Sequence, residues 1–316
     1  MDSKRYGYRG AIVVLVLCAL IGWIVFSPPQ NFPKEIVVNI AKGSSAAEVV
    51  AQLAEAHIIT HPELLRIALH LSGGSLRIQP GPYLFNTPEN IPTIAYRLMS
   101  GNFGIPSARI TFREGETVRE IAKRVHEALS SIPVSTFISA AQPYEGYLFP
   151  DTYLFLPSSD AEVIIQTMRE NFTAKTAVLT DAIEQSGHSL IDLVTMASLI
   201  EREARSIEVK RMVSGILWNR IRIGMPLQVD AVFGYIYGRD TYSPSFADLK
   251  VDSPYNTYLY KGLPPGPISN PGFDSLDAAI HPTSTEYLYY LTGKDGLMHY
   301  ATTYSGHLAN QKKYLR

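Results

Sequence analysis

Cysteine is almost absent from this chain: Cys18 is the only one in 316 residues, and it sits inside an apolar run. That excludes a disulfide framework, a cysteine-based zinc site and a cysteine nucleophile. An excess of one charge is missing too, with 28 Lys and Arg against 29 Asp and Glu and a formal net charge of -1. Without a basic surplus to neutralise phosphates, nucleic acid is not an expected partner. Charged residues make up only 18% and hydrophobic residues 46%, which is too apolar for a disordered chain. The length leaves room for two compact units plus an extra segment. His57, His61 and His70 are too scattered to suggest metal ligands, and no metal or cofactor is expected.

Charge is entirely missing from one stretch near the start. Gly10 to Phe26 holds 17 residues without an ionisable acid or base, and Lys4, Arg5 and Arg9 precede it. At about 1.5 Å per residue such a run reaches the lower limit for crossing a ~30 Å hydrocarbon core, with Arg9 able to snorkel. Residues 10–27 are therefore expected to form a transmembrane helix. The positive-inside rule then leaves residues 1–9 in the cytoplasm and everything after Ser27 outside the cytoplasmic membrane. The alternatives are a cleaved signal peptide or a buried helix. Ser27-Pro28-Pro29 offers no small-x-small cleavage site, and bulky Leu17 precedes Cys18 where a lipoprotein signal needs a small residue.

After a stem containing Pro28, Pro29 and Pro33, a repeat begins. Residues 38–53 (VNIAKGSSAAEVVAQL) and 110–125 (ITFREGETVREIAKRV) align without gaps, matching Gly43 with Gly115 and Glu48 with Glu120. Each copy reads as a strand, a glycine turn, a Ser or Thr cap (Ser45, Thr117) and a helix with Glu three residues after the cap, the pattern of a capping box. Between the copies, residues 62–71 have helical periodicity and residues 81–85 read as a strand. Residues 28–141 are assigned to the stem and this duplicated module, and a second domain is expected over 142–316. Helices are expected over 160–179 and 189–223, the latter broken near Ser206, followed by turns and short β-like runs from Gly224 on. The fold class is α+β.

Carboxylates on an apolar helix are candidates for proton donors, because burial raises their pKa. The segment LVTMASLIEREA carries Glu201 and Glu203. At ~100° per residue these face different ways: Glu201 with the small residues Ala197 and Ala204, Glu203 with bulky Met196 and Leu199. Room for a ligand favours Glu201, although a Glu four residues before Arg205 is also what an ordinary helix pair looks like. Downstream, Gln228 and Asp230 alternate along a β-like run, as do Asn256 and Tyr258, so the side chains of each pair share one face and are candidates for binding a polar ligand. Glu145, in EGYLFPDTY, is a further candidate.

The ordered set MASLIEREA (196–204), NRIRIGMPLQVD (219–230), SPYNTYLYKGLPPGPISNPG (253–272), SLDAAIHP (275–282) and YLYYLTG (287–293) resembles the YceG-like family of MltG-type endolytic murein transglycosylases. The likeness spans essentially the whole chain, anchor and duplicated module included. It implies a LysM-like module within residues 36–130, a catalytic domain acting on nascent peptidoglycan glycan strands, and Glu201, the first glutamate of its motif, as the catalytic residue. With that substrate class, Gln228, Asp230, Asn256, Tyr258 and Glu145, singled out by their own spacing and position, are the substrate-binding candidates for sugar hydroxyls or acetamido groups. The reaction implied is cleavage of the β-1,4 bond between N-acetylmuramic acid and N-acetylglucosamine to leave a 1,6-anhydro end, in partnership with membrane peptidoglycan synthases. Two other readings stay open: a muramidase that hydrolyses the same bond with Asp230 positioning water, and a glycan-binding protein without catalysis.

Overall fold

The computed structural model describes residues 15–16, 19, 22–29, 32–33, 35–71, 78–239 and 243–315. Half of the expected transmembrane segment, residues 10–27, lies outside these; Leu15, Val16, Ala19 and Gly22 to Phe26 are helical. Among the described residues no helix is long and apolar enough to cross a membrane.

The chain divides into two compact units. The first comprises residues 1–107 with 156–158, the second 108–155 with 159–316. Both contain helices and small sheets, an α+β architecture.

In the first unit, strand β1 (Ile36–Ile40) pairs antiparallel with β2 (Gly81–Phe85), Ile36 opposite Phe85 and Ile40 opposite Gly81. Helix α1 (Ala46–Glu55) starts at the Ser45 cap, whose hydroxyl accepts the Glu48 N–H while the Glu48 carboxylate accepts the Ser45 N–H. Helices α2 (Pro62–Leu71) and α3 (Ile91–Ser100) complete the unit. Ile40, Leu53, Leu65, Leu69, Phe85, Ile94 and Leu98 form its core. Tyr83 is buried with them and satisfies its hydroxyl on the Gln79 carbonyl, at 2.7 Å.

The second copy of the repeat repeats this local structure in the second unit. Strand β3 (Ala108–Thr111) leads through Gly115, at φ +78°, to helix α4 (Val118–Ala128). Gly43 holds the matching turn at φ +88°, where a side chain would be strained. Thr117 and Glu120 form the second capping box. The unit boundary thus lies at residues 107/108, upstream of the expected start at 142. The reason is strand pairing and burial: β3 pairs antiparallel with β4 (Thr152–Phe155), inside the EGYLFPDTY region and its sequel. Ile110, Val118, Ile121 and Val125 share one core with Leu148, Phe155, Ile164 and Met168.

Helices α5 (Val134–Ala141), α6 (Ala161–Thr176) and α7 (Thr180–Ser186) lead to the central helix α8 (Leu190–Glu203). Every residue from Leu193 to Ile200 is buried. Ser206 caps helix α9 (Ile207–Arg222), so the break falls where the sequence places it. Helix α10 (Ala231–Tyr237) follows, and helix α11 (Phe273–Ile280) packs on both α8 and α9. Strands β5 (Tyr289–Thr292) and β6 (Met298–Ala301) pair antiparallel, and helix α12 (Tyr304–Tyr314) packs on both. The run after Gly224 is therefore more helical than its turn-rich composition suggests.

Candidate active site

Helix α8 delivers two glutamates to two different environments. Glu201 points into the protein: its carboxylate meets the Lys210 ammonium of α9 at 2.9 Å and accepts the Gly272 N–H at 2.9 Å. The side chains of Lys210 and Glu201 are 3% and 7% exposed. Such a carboxylate is paired on both oxygens. Glu114 closes the cluster; burial first, then the neighbouring Glu201 charge, push its carboxyl above the ordinary value. Glu201, expected to face a ligand, is held by Lys210 and by the loop at Gly272, for which the small side chains around it make room.

Glu203, the last residue of α8, enters an open cleft of about 420 Å³. Its Oε2 accepts the Tyr290 hydroxyl at 3.0 Å. Burial raises its pKa from 4.5 to about 7, with the negative charge of Asp230 adding to the rise, while the Tyr290 hydrogen bond and Arg220 oppose it. Its position at the carbonyl end of a helix acts in the same direction as the burial. The outcome is a carboxyl that is substantially protonated at neutral pH and faces solvent space.

Asp230 and Tyr258 line the same cleft, the tyrosine hydroxyl donating to the aspartate at 2.6 Å. Gln228 joins them, but not on a strand. Its backbone sits at φ +51°, its N–H bonds the Thr257 carbonyl at 3.1 Å, and Thr257 also anchors Val229. Arg220 holds the floor rigid by donating to the Leu227 and Leu288 carbonyls, with its guanidinium 5.6 Å from the Tyr289 ring centroid. Tyr289, Tyr290 and Tyr304 supply aromatic surface.

Two expected binding residues lie elsewhere. Asn256 is fully buried and spends its amide on the Leu249 and Val251 carbonyls and the Tyr258 N–H, so it shapes the loop that presents Tyr258. Glu145 is 6% exposed and accepts the Val118 N–H at the start of α4 and an Asn270 N–H, both at 3.0 Å. Burial lifts its carboxyl to about 8. Neither reaches the cleft.

Asn270, which sequence reasoning passed over, fastens this support. Its Oδ1 accepts the Gly146 and Leu148 N–H groups, each at 2.9 Å, and its Nδ2 donates to Glu145 and to the Glu116 carbonyl. An asparagine placed before Pro271-Gly272 in the SNPG motif was the available signal. Arg220 on α9, Tyr290 on β5 and His307 and Gln311 on α12 were missed as well, because none of these segments carries a reactive pattern in the sequence.

Comparison with known proteins agrees with this architecture. Residues 38–313 match the sequence model of the YceG-like family. An endolytic murein transglycosylase of Bacillus subtilis is 31% identical over 94% of this chain and 89% of its own length. An endolytic murein transglycosylase of Streptococcus pneumoniae is 26% identical over 90% of this chain, which spans 59% of that longer protein. A 2.6 Å crystal structure of a yceG-like protein from Listeria monocytogenes superposes with a TM-score of 0.59 at 29% identity, covering 87% of this chain and 99% of that one. The chain belongs to the YceG-like family.

Proposed function

We propose that this protein is a peptidoglycan lytic transglycosylase whose acid is Glu203. The observation that carries the reading is the coincidence of a carboxyl titrating near 7 with an open cleft that also holds Gln228, Asp230 and Tyr258. The names of the Bacillus and Streptococcus relatives supply the substrate class.

The chemistry needs few groups. Protonated Glu203 donates its proton to the glycosidic oxygen, the C1–O bond breaks, and positive charge develops on the muramyl ring. Asp230, whose negative charge already acts on Glu203, stabilises that charge. The C6 hydroxyl of the same sugar attacks C1 and its proton returns to Glu203, so the enzyme is regenerated and the product carries a 1,6-anhydro end. Water is not consumed, and one carboxyl serves as acid and then base. Tyr290 orients Glu203, and the tyrosines of the wall offer faces for pyranose packing.

The uncharged run at residues 10–27 supports a single anchor in the cytoplasmic membrane with the catalytic unit outside. Such tethering directs the cleft to glycan close to the membrane and to the synthases that polymerise it. The LysM-like glycan-binding role of residues 36–130 belongs to the same proposal, supported by the repeat.

The test is mass spectrometry of products from uncrosslinked glycan strands. Anhydro ends from the wild type and none from Glu203→Gln support the reading. Ends heavier by one water mean hydrolysis, with Asp230 as the base.

A further inference from the structure

A second concavity, of about 340 Å³, lies in the same unit and shares no lining residue with the Glu203 cleft. Its walls come from the segment between α5 and β4 (Tyr144, Tyr147), from α6 (Gln166, Arg169, Glu170) and from Leu190, the first residue of α8. Glu203 is the last residue of that 14-residue helix, so at ~1.5 Å per residue the groove begins about 20 Å from the candidate acid.

Arg169 is the informative member. Its guanidinium lies 4.0 Å from the centre of the Tyr144 ring, a stacking contact that holds the group in place. Its one hydrogen bond among the described residues runs from Nη1 to Gln166 Oε1, at 3.3 Å. Gln166 in turn gives its amide nitrogen to Glu170 at 2.9 Å. Glu170 follows Arg169 directly, and adjacent positions on a helix do not face each other. Arg169 thus keeps a half-buried, permanently charged fork of N–H donors that forms no ion pair among the described residues. A guanidinium held by stacking and left without a counter-ion is a receptor for a carboxylate, because the fork can donate to both oxygens with little further ordering. The groove adds the Tyr147 hydroxyl, which bonds to no described residue and is open to solvent, and an apolar edge at Leu190, 40% exposed.

We propose that this groove is a subsite for the peptide stem of peptidoglycan, with Arg169 pairing with a stem carboxylate and Leu190 lying against the stem's apolar side chains. The assignment rests on the peptidoglycan reading above and adds which part of the polymer, beyond its sugars, the protein recognises. Sugar hydroxyls and acetamido groups offer a guanidinium only neutral acceptors. The stem, a short peptide carried on the muramyl sugar, brings carboxylates and small apolar side chains together, the complement of Arg169 beside Leu190. The separation agrees with this: at ~3.4 Å per extended residue, roughly six residues span the distance along α8, and fewer once the sugar itself is counted.

The experiment titrates the full chain carrying Glu203→Gln, by calorimetry, with three probes: the free stem peptide, the same peptide with its carboxyl groups amidated, and an acidic peptide of equal length and charge but unrelated sequence. Each titration is repeated with Arg169→Gln and with the charge-keeping Arg169→Lys. The expected result is a roughly tenfold preference for the stem peptide over its amidated form, corresponding to about 1.4 kcal/mol. That preference vanishes in Arg169→Gln and is partly kept in Arg169→Lys, which separates lost charge from lost folding. No preference in the parent chain, or one that Arg169→Gln leaves intact, overturns the proposal. Equal binding of the unrelated acidic peptide overturns the stem assignment and points to an acidic segment of a partner protein. No cleavage is read here, so the two readings fail separately: Arg169-dependent stem binding would stand if anhydro ends never appeared, and anhydro ends without stem binding would sink this proposal alone.

Discussion

Exchanging a single atom pair in either glutamate of α8 separates their roles. In Glu201→Gln the Lys210 ammonium, 3% exposed, loses its counter-charge, and one of the two contacts of the former carboxylate becomes donor facing donor. Breaking a buried pair from one side costs about 3–5 kcal/mol. At roughly 2–4 °C per kcal/mol for a unit of this size, the melting midpoint should fall by about 6–20 °C. Cleavage by the fraction that remains folded should persist. Glu203→Gln should do the reverse. Its amide oxygen still accepts from Tyr290, but no proton can be given, so kcat should drop by about 10²–10⁴. Stability should rise at alkaline pH. Glu203 titrates near 7 in the folded protein and near 4.5 when unfolded, so the folded state holds its proton longer. Stability contributed by that proton is complete below about 4.5 and lost as pH climbs through 7. At 1.36 kcal/mol per unit the glutamine spares about 3 kcal/mol at pH 8. Differential scanning calorimetry of both variants at pH 5 and pH 8, beside product analysis, decides the matter. A well-folded, inactive Glu201→Gln beside an active Glu203→Gln would refute the assignment.

Further outcomes follow from the same geometry. The kcat/KM profile should decline above about pH 7 as Glu203 loses its proton, and a rate that keeps rising to pH 9 would contradict its role as acid. Glu145, raised to about 8 by burial, adds a second loss of stability between pH 4.5 and 8; Glu145→Gln should flatten that slope in urea titrations while leaving KM unchanged. Asn270→Ala removes four hydrogen bonds to buried groups and should cost at least about 3 kcal/mol in chemical denaturation. A methyl at Gly215 of α9 would overlap the Thr283 carbonyl oxygen, so Gly215→Ala should cost about 1–3 kcal/mol and displace the segment that leads to β5.

What the sequence determined by itself is local. Ser45 with Glu48, and Thr117 with Glu120, close both capping boxes because a hydroxyl and a carboxylate three residues apart satisfy helix N–H groups without outside help. The turns at Gly43 and Gly115, helix α2 and the break at Ser206 are legible for the same reason. The order of motifs after Met196 carried the family. What only tertiary structure decided is which groups meet. Residues 193–200 are buried on every side, so the helical wheel has no polar face to read, and small neighbours signalled close packing around Lys210 as readily as a ligand. Glu203 gains its cleft from Asp230, Tyr258, Tyr290 and α12, which lie 27 to 108 residues away along the chain. Its raised pKa arises from burial by those remote segments. The second repeat copy joins the catalytic unit because β3 finds β4 across a separation of 41 positions between Thr111 and Thr152, a pairing set by burial and register rather than by either strand's own sequence.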